Sequence, residues 1–166
     1  MRVLLLLPLT ACGITSASVE GTWTIDSFVQ VSTDVFDGDG NLEPSVTEGE
    51  AVEVPVTGPI TFGADELGTV TAADSGGEPV DYAIIQWVLL ESDLPDDYPS
   101  YYAERCGGEW PAPISAPELT IATEYLAFNQ TWYATGGNPM TLYSLLVNEY
   151  SPTQRGCILS TLTLSK

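Results

Sequence analysis

Between Asp37 and Glu48 the chain reads Asp-Gly-Asp-Gly-Asn-Leu-Glu-Pro-Ser-Val-Thr-Glu. Side chains bearing oxygen fall at the first, third, fifth, seventh and ninth places (Asp37, Asp39, Asn41, Glu43, Ser45), and Glu48 takes the twelfth. At this spacing a loop can wrap a hard cation such as Ca²⁺. Leu42 stands where the sharp turn of such a loop needs glycine, Pro44 stiffens the backbone just beyond it, and no helical pattern flanks the segment. Two readings stay open. One is a calcium site built from Asp37, Asp39, Asn41, Glu43 and Glu48, with Ca²⁺ as the sole cofactor suggested. The other is an exposed acidic turn.

The chain has no histidine. His-dependent triads, imidazole general bases and nearly all zinc patterns are thereby excluded. Asp96 with Asp97, Glu91 with Asp93, or Glu104 with Glu109 could supply the acid and base of glycoside hydrolysis. Near pairs of this kind are ordinary, however, in a chain with 23 acidic residues. No catalytic residue is assigned and no enzyme is expected. Only four Lys and Arg residues oppose those acids, for a net charge of −19. Nucleic acid is excluded as a partner, because phosphate contacts need Lys and Arg. Asn129-Gln130-Thr131 has the form of a glycosylation sequon, which carries little meaning in a bacterial protein.

The N-terminus has the parts of an export signal: Arg2, an apolar run from Val3 to Leu9, and small residues before Cys12. The run is too short to span a bilayer, which takes about 20 apolar residues. Leu9-Thr10-Ala11-Cys12 resembles a lipobox, the signal of bacterial lipoproteins. The resemblance implies removal of residues 1–11, diacylation of the Cys12 thiol, and a location in the bacterial cell envelope. Gly13 stands where an Asp would retain such a protein at the inner membrane, so the outer membrane is expected. With Cys12 lipidated (as palmitate or a similar chain), Cys106 and Cys157 remain as an even pair in an oxidising compartment, which reads as a disulfide. Two free thiols or a redox pair are the alternatives.

Residues 12–19 then form the lipidated cysteine and a short tether, and 20–166 form one domain, large enough for a core. Alternation of apolar and polar residues predicts strands from Trp23 to Val31, with a bend or bulge at Ser27–Phe28. Further strands are predicted at 52–56, 58–62, 68–73 and 80–91, at 119–123 continuing toward Phe128, at 131–134, at 140–150 and at 157–165. Pro55 marks an edge or a ladder interruption. Asp34 to Glu50 and Ser92 to Pro117 read as irregular, and no helical stretch is predicted. Short strands with turn signals between them indicate an all-β barrel or sandwich.

Gly21-Thr22-Trp23 heads the first strand and resembles the Gly-x-Trp signature of lipocalins and lipocalin-like lipoproteins. In that family the Trp plugs the closed end of an eight-stranded up-and-down barrel, so a single antiparallel lipocalin-like β-barrel is expected, with a β-sandwich as the alternative. Gly21 and Trp23 are the residues that carry over. Tyr98, Tyr101, Tyr102 and Trp110, on the proline-rich section, suit a barrel mouth that holds a small apolar or amphipathic ligand. They equally suit a loop packed on its own barrel. The expected function is that of a noncatalytic envelope lipoprotein, attached to the membrane by its lipid, that binds such a ligand. The alternative is a structural or protein-interaction lipoprotein with a solid β core.

Overall fold

The computed structural model describes residues 14–38, 45–56, 58–74, 76–93, 97–113 and 116–166. The leader, Cys12 and Gly13 lie outside the described residues. The fold is all-β, a single antiparallel sheet of ten strands closed into a ring. After the helical turn α1 (Ser16–Val19) come β1 (Gly21–Phe36), β2 (Ser45–Glu48), β3 (Val52–Glu53) and β4 (Ile60–Phe62). Next along the chain are β5 (Gly68–Ala73), β6 (Pro79–Asp93), helix α2 (Tyr98–Cys106), β7 (Pro117–Thr123), β8 (Gln130–Gly136), β9 (Met140–Ser151) and β10 (Gln154–Ser165).

β2, β3 and β4 pair in turn with the C-terminal, middle and N-terminal parts of β1, so they act as one interrupted strand. The interruption contains Pro55, which cannot donate to a ladder. From β4 onward each strand pairs with its sequence neighbour, and β10 returns to β1 from Thr24↔Ser165 to Phe36↔Gln154. No open edge remains between the first and last strands.

Side chains alternate across the sheet, and one face supplies the core. Register shifts make this alternation serve the aromatics. The shift between Ile25 and Ser27 lets both Trp23 and Phe28 face inward, and the shift between Ile84 and Gln86 does the same for Ile84, Trp87 and Leu89. Phe62, Leu119, Ile121, Trp132, Leu142, Leu162 and Leu164 complete the interior, each at most 1% exposed. Each such side chain contributes about 1.5–3 kcal/mol through burial.

Both ends of the ring are stopped. At the end where β1 begins, α1 buries Val19, whose carbonyl accepts the Trp23 Nε1 proton at 2.7 Å. Lys166 Nζ donates to the carbonyls of Ser18 (3.1 Å) and Glu20 (2.7 Å) and lies 4.3 Å from the centroid of the Trp23 ring. At the other end the β7–β8 turn inserts Phe128, which is fully buried with its centroid 5.2 Å from Phe28. Gln130 Nε2 donates to Ala127 O at 2.9 Å and Trp132 Nε1 to Phe128 O at 3.3 Å, which fix that turn.

Four expectations need correction. Part of Asp34 to Glu50, read as irregular, is strand: β1 continues to Phe36 and pairs there with β2, from Thr33↔Glu48 to Phe36↔Ser45. Residues 16–19, read as tether, form a helical turn capped by Thr15, because burial of Val19 rewards ordering them. Residues 98–106, read as irregular, form α2: Pro99 opens it, and Gly107 closes it in the left-handed conformation (φ 73°). Phe128 does not continue a strand; β7 ends at Thr123, and the turn after it carries Phe128 into the core.

Replacing Trp23 with alanine is expected to cost about 3–5 kcal/mol, the range for a fully buried large aromatic. Denaturant unfolding would measure this loss, and an unchanged midpoint would show that the Trp23 end contributes nothing to the core.

Candidate functional site

The chemistry-bearing residues gather outside the ring, on the face of β8, β9, β10 and β1 opposite the core. On β8, Trp132 and Ala134 belong to the interior, so Tyr133 between them points outward. Tyr143, Leu145 and Val147 of β9 and Cys157 and Leu159 of β10 share that outer face. Helix α2 lies over it, presenting Tyr98, Tyr102 and Cys106 at helical spacing.

Trp110 is the centre of this outer cluster. Its ring centroid lies 5.0 Å from Tyr98, 5.6 Å from Tyr102, 5.8 Å from Tyr133 and 6.3 Å from Tyr143. Its indole Nε1 is buried with no hydrogen-bond partner among the described residues, a loss of about 1–3 kcal/mol if none is supplied. The edge-to-face contacts, each contributing about 0.5–1.5 kcal/mol, are large enough to offset it. Burial, and next the phenol of Tyr133, push the Tyr98 hydroxyl above its ordinary pKa. Tyr98, Tyr101, Tyr102 and Trp110 thus come together as expected, but as the packing between α2 and the outer strand face. They do not surround the opening of the ring, which Phe128 and its turn occupy. Tyr101 is the most open of the four, with the Arg105 guanidinium 5.6 Å from its centroid.

Three devices hold α2 in place. The Cys106–Cys157 disulfide joins the helix to β10 across a sequence separation of 51. The Arg105 guanidinium donates to Glu149 at 2.5 Å. Arg155, which carried no signal in the sequence, does the most. Its Nε donates to Arg105 O at 2.6 Å and its Nη2 to Glu104 O at 3.0 Å, which satisfies carbonyls at the α2 C-terminus. The same guanidinium holds Asp37 with two hydrogen bonds, one of them 2.8 Å long from Nη2 to Oδ1.

The first and last residues of the expected calcium set lie apart. Asp37 is committed to Arg155, while Glu48 lies in β2 opposite Thr33, three ladder positions beyond the Phe36↔Ser45 pair. A β hairpin separates what a cation loop must converge. Asp39, Asn41 and Glu43 lie outside the described residues. Among the described residues no cluster of three acidic or thiol groups is placed to hold a metal. Of the acid pairs, Asp96 lies outside the described residues, and Glu104 and Glu109 are both exposed.

Cavities bordered by described residues measure about 130 Å³ beside α1 and Trp87, and about 220 Å³ between α2, β1 and β2. Ordinary small-molecule pockets run from about 300 to 1,000 Å³. Comparison with protein-family models, with curated proteins and with solved structures returned no match.

Replacement of Arg155 by methionine keeps the aliphatic stem but strands two helix carbonyls, and is expected to cost about 2 kcal/mol. Chemical denaturation of the oxidised protein would read this loss, and full stability of the variant would remove Arg155 from the account.

Asp37 also makes stability depend on pH. Its hydrogen bonds to Arg155 hold the carboxyl below its ordinary value of 3.8; partial desolvation opposes them, and the charges of Arg155 and Arg105 add to the lowering. A depressed folded-state pKa stabilises the fold above the unfolded value, and this contribution is lost as pH falls through the folded one. Acid melts are therefore expected to show a steeper loss below about pH 4 in the wild type than in Asp37→Asn. Superimposable acid limbs would refute the coupling.

Proposed function

We propose that the protein is a bacterial lipoprotein, anchored through Cys12 to the outer membrane, whose domain is a noncatalytic lipocalin-like β-barrel with a filled interior that works through its outer surface. The observation that carries this reading is the interior itself. Trp23, Phe28, Phe62, Phe128 and Trp132 are each at most 1% exposed inside the ring. A ring of about eight strand positions is just wide enough to be filled by side chains or to hold one small ligand, and here aromatic side chains take the space.

Two further features support the barrel half of the reading. The up-and-down order closes β10 on β1, and Trp23 of the Gly21-Thr22-Trp23 motif stops one end, as the lipocalin resemblance implies. Only Gly13 stands between a lipidated Cys12 and Ile14, where the described chain begins. Two residue steps extend roughly 7 Å at most, so the Trp23 end would face the bilayer and the Phe128 end would face away. The charge of −19 keeps nucleic acid and other acidic surfaces off the exposed wall, which leaves protein contacts as its use.

Native mass spectrometry of the mature protein, released from detergent, tests both halves. The expected spectrum shows a diacylated N-terminal cysteine, absent from Cys12→Ser, and no additional mass after incubation with lipids or fatty acids. A retained lipid mass that disappears on denaturation would replace the solid-core reading with that of a ligand carrier. An unmodified Cys12 in exported protein would sink the anchor.

A further inference from the structure

The cleft between α2 and the β1–β2 hairpin has a composition that its neighbours do not use up. Its lining includes the apolar side chains of Val31, Val46 and Leu159 together with Tyr102 and Cys106 of α2. Two acidic residues, Glu48 and Glu109, also line it, and both are exposed. Two glycines give the cleft its depth. A Cβ on Gly107 would come within 2.6 Å of Val46 Cγ2, and one on Gly108 within 3.2 Å of Tyr102 Cε1.

Tyr102 is only 7% exposed, and its hydroxyl is the polar end of that buried ring. That hydroxyl lies beside Gly108, a lining residue, so it addresses the cleft. Burial raises its pKa, and the charge of Glu48 raises it further. The two carboxylates have no ion-pair partner among the described residues. The nearby guanidiniums are spent, Arg105 on Glu149 and Arg155 on Asp37. The cleft lining therefore combines two carboxylates, an aromatic ring and apolar side chains.

We propose that this cleft binds small organic cations, an ammonium group on a short apolar stem. The ammonium sits between Glu48 and Glu109 at the face of Tyr102, where both charge–charge and cation–π attraction act on it. The stem covers Val31, Val46 and Leu159. A cavity of about 220 Å³ admits a stem of a few carbons and excludes bulky or polycyclic amines. The site lies outside the ring and does not depend on whether the interior is filled.

The test is an NMR titration of the mature protein in non-ionic detergent with n-butylammonium. It is run at about 0.15 M salt, where diffuse attraction to the acidic surface is screened beyond roughly 8 Å. Saturable shifts confined to Val46, Gly107, Gly108 and Leu159 are expected, and n-butanol should give none that saturate. Glu48→Gln should weaken binding about tenfold, the scale of one lost charge-assisted contact. Glu50→Gln, which removes an acid outside the cleft, should leave it unchanged. Equal affinity in wild type and Glu48→Gln, an equal loss in Glu50→Gln, or shifts spread over the whole acidic surface would each overturn the proposal.

Discussion

Everything in this fold depends on the pairing of its first strand with its last. β1 and β10 are joined along most of their length, although more than a hundred residues separate them in the chain. That ladder removes the open edges, and only then does each inward side chain have a wall on every side. A closed antiparallel sheet leaves no unpaired edge to template aggregation. It also concentrates the long-range contacts that are entropically expensive to form, so the closed state must be rewarded by what it encloses. The reward is the aromatic interior, and the two end plugs complete it.

The scarcity of cations gives each of the three among the described residues an identifiable task. Lys166 gathers the last carbonyls around α1 and covers Trp23. Arg155 ties α2 to β10 and to the end of β1, and Arg105 ties the same helix to β9. Each cation meets backbone carbonyls, a carboxylate or an aromatic face at a junction between elements. Most of the acids among the described residues form no ion pair, and exposed charges of this kind add little to stability. A low cation count is therefore compatible with a well-tied structure, because the cations are placed where chain segments must be joined.

Strands were legible in the sequence because alternation is a local signal, and the bulge near Ser27–Phe28 was legible because it breaks that alternation. The disulfide was legible from counting and compartment. Helix α2 was not, since Pro99 and the surrounding prolines read as irregular and Tyr, Ser and Cys are indifferent helix formers. Its signal was present all the same: Tyr98, Tyr102 and Cys106 repeat every four residues, with Gly107 as the stop. The separation of Asp37 from Glu48 was not legible, because a pattern of oxygen-bearing residues says nothing of backbone direction. Continued pairing of β1 with β2 pulled Asp37 and Glu48 apart. Arg155 and Phe128 had no local signature, since their partners lie far away in the chain.

The outer face shows why recognition can be separated from the core in such a ring. Inward positions must fill a fixed volume, so a change there is felt as a cavity or a clash. The segment over β8–β10 meets a looser condition: it needs only to stay attached, and the disulfide and Arg155 provide that with few residues. Just past the C-terminal end of α2, before Trp110 packs back into the outer cluster, stand two glycines, Gly107 and Gly108. The cleft occupies that position, beside the strongest fastening in the molecule and floored by strands that cannot move independently. Of the groups that would meet an incoming cation, Tyr102 is held by the packing of α2, whereas Glu48 and Glu109 are exposed and their ordering would oppose binding.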